Sequence, residues 1–68
     1  MKQYRVTTKF ETRYPREVFN KVEYTTDFEA ALGAYIIYIQ DPETVFCTVD
    51  VTDETLQSLK IIAAFNTK

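Results

Sequence analysis

The stretch ALGAYIIYIQDPETVFCTVDV, residues 31–51, carries two apolar runs separated by a polar break, and its reading decides the fold. The runs are either two strands of a hairpin or a buried helix followed by a strand. Phe28, Ala31, Leu32, Tyr35, Ile36 and Ile39 fall at i, i+3, i+4, i+7, i+8 and i+11, the stripe that a helix buries. A strand reading has no such regularity. Thr26 followed three residues later by Glu29 has the spacing of a capping box, in which the hydroxyl accepts an orphan backbone N–H and the carboxylate reaches back. Asp27 and Glu29 also put negative charge in the first turn, where the helix dipole favours it. At the other end Pro42 disfavours helical geometry at Asp41 and has no N–H to donate. The spacing therefore predicts a helix over residues 27–40. Gly33, the only glycine, lies inside it at a cost of roughly 1 kcal/mol against Ala, which close packing of helix on sheet would explain.

Working outward, TVFCTVDV switches to period two. Val45, Cys47, Val49 and Val51 face one way and Phe46, Thr48 and Asp50 the other, which predicts a strand over residues 44–51. Residues 52–65 read as a second helix capped by Thr52 or Asp53, with Leu56, Leu59, Ile62 and Ala63 as its inner face, widened by Ile61, Ala64 and Phe65. A short β reading of KIIAAF is the alternative. Toward the N-terminus Tyr4, Val6, Thr8, Phe10, Thr12 and Tyr14 alternate with polar residues, a long strand with one face buried and one solvated. Between Pro15 and Thr25 the residues Val18, Val22 and Tyr24 suit a strand facing the core, while Val18, Phe19 and Val22 also suit a short helix. The strand is preferred, because KVEYTT is rich in β formers and the first strand needs a hairpin partner.

The expected fold is thus α+β, a two-layer sandwich in the order β-β-α-β-α. A right-handed crossover through the first helix places strand 3 antiparallel on the far side of strand 1. That gives a three-stranded, mainly antiparallel sheet of order 2-1-3 with two helices on one face. With 68 residues there is room for a single domain spanning 1–68, burying only about 60% of the surface its unfolded chain exposes. Small chains of this kind lean on disulfides, a metal or another chain.

Composition narrows the chemistry. Cys47 is the only cysteine and histidine is absent, so an intramolecular disulfide is impossible and Cys/His zinc spacings are missing. Cys47 in an alternating strand reads as a small buried apolar residue. Asp50, Asp53 and Glu54 cluster near the end of strand 3, but they lack the ligand spacing and the glycine of a calcium loop. A single glycine rules out Gly-rich phosphate loops, and the threonines and Ser58 have no histidine base. We therefore expect no catalytic residue, no metal site and no cofactor. The first residues, MKQYRVTTKF, lack the apolar core of a secretory signal, and the run 34–39 is far short of the ~20 residues that span a bilayer. A cytoplasmic protein is expected, or a host-cytoplasmic one if its origin is viral. Eight Lys/Arg against ten Asp/Glu, net −2, leave no nucleic-acid footprint.

Binding is the better-supported class. If the alternation holds, Phe19 on strand 2 and Phe46 on strand 3 point to the open sheet face beside Arg5 and Lys9 of the central strand. Aromatics beside cations anchor protein interfaces and also stack on bases of single strands; packing of the rings over the sheet rim is the plainer alternative. The size and the β-β-α-β start resemble several small virus-encoded inhibitors of host enzymes, a resemblance of architecture alone that transfers no residue. It implies a regulator or inhibitor that binds a host or partner protein. Single-stranded nucleic-acid binding ranks second, and a structural subunit of a larger assembly third. YIIYI, residues 35–39, finally exceeds what one helix face can bury. Ile37 and Tyr38 must either pack on the second helix, against Ile61 and Phe65, or face another copy. We expect a homodimer using these two residues or an edge strand.

Overall fold

The computed structural model describes residues 2–55 and 57–67. The chain runs β1 (Gln3–Arg13), β2 (Arg16–Thr25), α1 (Phe28–Ile39), β3 (Thr44–Thr52) and β4 (Ser58–Asn66). The fold is α+β, with an antiparallel four-stranded sheet of order β2-β1-β3-β4 and one helix on one face. β3 lies on the far side of β1 from β2, as the crossover argument requires. None of the helices among the described residues is long and apolar enough to cross a membrane.

β1 and β2 form a long hairpin in register from Tyr4↔Thr25 to Arg13↔Arg16, closed by a turn with a cis Tyr14–Pro15 peptide. The Thr12 hydroxyl stitches this tip, donating to the Pro15 carbonyl at 2.7 Å and accepting from the Glu17 amide at 3.1 Å. Helix α1 begins one residue later than the capping-box spacing suggests. Asp27 is the N-cap, its carboxylate accepting the Glu29 amide at 3.0 Å, while its own amide donates to the Thr25 hydroxyl.

The helix also sits in a different phase from the one expected. Ala31 is fully buried and Tyr35, Tyr38 and Ile39 pack on the core, whereas Ile36 is half exposed. Six consecutive apolar residues, 34–39, leave the phase open on hydrophobicity alone. Tyrosine settles it, because its ring reaches further across the sheet while its hydroxyl ends at a polar rim. Tyr38 stands edge-on to Phe10 at 5.8 Å between centroids and donates its hydroxyl to Glu23. Tyr38 is therefore partly buried against the sheet, and of the expected self-association pair Ile37 is the exposed one, at 67%.

The second helix expected over 52–65 is a turn and a strand, and the β alternative describes it. Thr52 and Asp53 carry cap chemistry, but Asp53 spends it on the turn. Its carboxylate accepts from the Thr55 amide at 2.9 Å, the Thr55 hydroxyl at 2.7 Å and the Gln57 amide at 3.0 Å. Asx turns and helix N-caps use the same bond, so sequence does not separate them. What decides is β3, whose outer backbone groups would otherwise stay unpaired beside a core strand. β4 pairs with them, with irregularities between Val49 and Asp50 and between Val51 and Thr52 that absorb the mismatch. Leu56, expected on the second helix's inner face, lies outside the described residues.

The core is small. Val6, Ala31, Cys47 and Val49 are its buried apolar residues, with Tyr4, Tyr35, Tyr38, Ile39, Ile62, Ala63 and Phe65 packed around them. Cys47 is fully buried, and burial pushes its thiol above the ordinary range despite the contact with the Thr8 hydroxyl. Gly33 is not explained by close packing, since a Cβ built there meets nothing within 4 Å. Gly33→Ala should then stabilise the protein by about 1 kcal/mol, because only the helix propensity changes. Urea titration followed by circular dichroism checks this, and a loss of stability would mean that the helix uses glycine's freedom.

The Asp53 turn predicts a pH dependence. The Thr55 hydroxyl, then the Gln57 amide, hold the Asp53 carboxyl below its ordinary pKa. A depressed folded-state pKa contributes stability above the unfolded value and loses it as pH falls through the folded one. The melting difference between wild type and Asp53→Ala should therefore be largest near neutral pH and shrink below about pH 4. A difference that grows toward acid would contradict the assignment.

Candidate interaction surface

The pairing registers resolve the uncovered sheet face into rows. The first row across β2, β1, β3 and β4 is Tyr24, Arg5, Asp50 and Ile61. Next come Val22, Thr7, Thr48 and Ala64, then Asn20, Lys9, Phe46 and Asn66, and finally Val18 opposite Glu11. Directly paired residues of an antiparallel sheet point to one side, so these residues share a face. Val6, Val49 and Cys47 of the alternate rows touch the core under the helix.

Arg5 and Asp50 form the centre. The guanidinium donates through Nε to Oδ1 at 3.1 Å and through Nη2 to Oδ2 at 2.5 Å, a two-pronged pair between facing strand positions. The Arg5 side chain is 26% exposed and that of Asp50 only 7%. The hydrogen bonds that Arg5 donates to Asp50 raise the Arg5 pKa; partial burial opposes them, and the Asp50 charge and the Tyr24 phenol add to them. Arg5, expected as a partner-binding cation, is thus committed to an internal ion pair.

Beside this pair the outer strands expose apolar side chains, while the central rows carry Thr7, Thr48 and Lys9. Val18, Val22 and Tyr24 of β2 point outward, away from the helix, each with close to half of its surface open, and Ile61 of β4 is 61% open. Here the structure reverses the sequence reading, which placed Val18, Val22 and Tyr24 in the core. The helix side of β2 instead carries Glu17, Phe19, Lys21, Glu23 and Thr25. Polar contacts to α1 accompany the reversal. Glu23 accepts the Tyr38 hydroxyl, and Lys21 lies over the Tyr38 ring with its Nζ at 5.3 Å from the centroid. Tyr38, and next Glu23, accordingly hold the Lys21 ammonium above its ordinary pKa. β2 thus meets the helix through a polar rim.

The four residues expected to form one binding patch are divided by this register. Phe46, Lys9 and Arg5 share the uncovered face, and Lys9 stands directly opposite Phe46. Phe19 pairs with Phe10 and so lies on the helix side, half exposed. A shallow depression of about 190 Å³ lies at the corner of the face, lined by Lys9, Glu11, Val45, Phe46, Asn66 and Thr67. Sequence reasoning missed Val18, Val22, Tyr24 and Ile61. The β2 alternation contained the signal for the first three, but which side it referred to depended on the pairing with β1.

Groups of three or more metal-ligating side chains that could hold a metal ion are not found among the described residues. Comparison with protein-family models, with curated proteins and with solved structures finds no match to this chain.

Proposed function

We propose that the chain is a small non-enzymatic module that binds a partner protein through the uncovered face of its sheet, as an accessory regulator. One observation carries this reading: β2 turns Val18, Val22 and Tyr24 away from the helix and Glu17, Lys21 and Glu23 toward it. A sheet facing water would do the opposite. Exposed apolar side chains on the outer strands beside a self-neutralised ion pair suit a partner surface that is itself weakly charged. A second reading rests on the row Asn20, Lys9, Phe46 and Asn66, where a base of single-stranded nucleic acid could stack on the ring beside a cation.

The test is a capture of partners from the source cell, followed by titration of the captured protein against wild type and Val22→Asp. Val22 is half exposed, so the variant should keep its circular dichroism spectrum while binding weakens by about tenfold or more. Binding by wild type should hold when salt is raised. Unchanged binding by Val22→Asp would move the interface off this face. Steeply salt-dependent binding of a short single-stranded oligonucleotide, lost in Phe46→Ala, would favour the second reading.

A further inference from the structure

The two edges of the sheet are built differently. β2 carries four charged residues among its ten, Arg16, Glu17, Lys21 and Glu23, interspersed with its apolar ones where it could pair with another strand. Charges of this kind block edge-to-edge pairing. β4, SLKIIAAFN, is nine residues long with Lys60 as its only charge and no proline. Leu59 and Ile61 are both more than half exposed on it.

The helix adds to the asymmetry. A helix about 10 Å wide covers about two strands spaced about 4.8 Å apart, and α1 lies over β3 and β1, reaches β2 less and hardly touches β4. On the helix side β2 presents Glu17, Lys21 and Glu23, which suit water and the Tyr38 rim, with Phe19 as the one apolar residue among them. The corresponding part of β4 presents Ala63 and Phe65, with Ile62 beside them, only partly buried. The helix flank next to that gap is apolar as well. Tyr38 leans toward β2, and Ile36, two residues and about 200° round the helix, therefore lies on the opposite flank; it is half exposed.

We propose that β4 is the seam of a homodimer, in which two copies pair β4 with β4 in antiparallel fashion about a two-fold axis and join two four-stranded sheets into one. A second copy is the occupant that fits both features at once. Its β4 satisfies the open backbone edge, and its own helix closes the other wall of the gap over Ile62, Phe65 and their symmetry mates. The charge pattern permits it, since Lys60 meets its own copy only in a register centred on itself, and any register centred nearer Ile62 pairs it with an uncharged residue. A stable interface buries about 800 Å² per partner, roughly one sixth of the 4918 Å² that the chain exposes. The edge alone falls short of this area, and the Ile36 flank with the Phe65 floor extends it. The proposal is independent of partner binding on the uncovered face.

Sedimentation of the full chain at micromolar concentration should give about twice 8.0 kDa, falling toward 8.0 kDa on dilution. Ile61→Lys places like charges beside the axis and should yield the monomer across that range, with Ile37→Asp on the outer helix surface still dimeric. Hydrogen exchange on the wild type supplies a readout that needs no variant: raising the concentration should slow exchange in β4 and leave β2 unchanged. A monomer at every concentration would overturn the proposal, as would a dimer lost in Ile37→Asp or concentration-dependent protection confined to β2.

Discussion

Arg5→Met should lower the stability of the folded chain by about 2–3 kcal/mol, the larger of the two single-residue losses at the central ion pair. Removing one partner from a buried pair costs about 3–5 kcal/mol, because the other charge is left desolvated and uncompensated. Here the figure is discounted, since the Arg5 side chain reaches water over about a quarter of its surface. Asp50 does not have that outlet, being 5% exposed between Arg5 and Ile61. Asp50→Leu should consequently cost less, about 1 kcal/mol, as the guanidinium it releases can turn to solvent. The double variant Arg5→Met/Asp50→Leu should return to within about 1 kcal/mol of wild type, since no charge then remains to be paired. For a chain of 68 residues, whose whole stability is on the order of 3–10 kcal/mol, the first loss is visible in any urea titration. Equal losses in both single variants, or an additive double variant, would show that the pair is not coupled as its geometry implies.

Tyr38→Ala should destabilise by about 3–4 kcal/mol, while Ile37→Ala next to it stays within about 0.5 kcal/mol of wild type. The contrast follows from which side of α1 each occupies. Tyr38 fills space against Phe10, anchors Glu23 through its hydroxyl and carries Lys21 over its ring. Truncation leaves a cavity under the helix and strips β2 of its polar link to it. Ile37 is mostly in water and leaves nothing behind. Tyr38→Phe separates the two contributions: it keeps the ring and removes the hydrogen bond, for an expected loss of about 1 kcal/mol. Thermal melts of the three variants check the ranking, and a loss in Ile37→Ala comparable to that in Tyr38→Ala would restore the reading in which both residues face a common partner.

Much of the fold follows from patterns that are complete within one segment. The alternation in β1 and β3, the period of α1 and the stop at Pro42 need no information from elsewhere in the chain, and the order 2-1-3 then follows from the handedness of the crossover. The second helix failed for a physical reason that recurs in short chains. An Asp followed by Thr and apolar residues offers the same hydrogen bonds to a helix start and to an Asx turn, and Asp53 uses them in the turn. The open edge of β3 then draws the following residues into a strand.

The candidate surface was legible only in part, because alternation reports that a strand has two unlike sides and not which side is buried. For β3 the two coincide, and Phe46 lies on the uncovered face with Lys9 as its neighbour. For β2 the apolar side was assigned inward and lies outward, which moves Phe19 to the helix side and brings Val22 and Tyr24 to the surface. By itself the sequence determined the extents of β1, α1 and β3 to within a residue or two, their periods and the order of the first three strands, since local sterics, capping bonds and chain handedness are readable there. Only the tertiary structure decided the phase of α1, the strand state of β4 and the outward face of β2. Each of these depends on a partner far along the chain: Phe10 and Glu23 for Tyr38, the β3 backbone for β4, and the register with β1 for the valines. A contact of that kind outweighs a local preference worth a few tenths of a kcal/mol to about one.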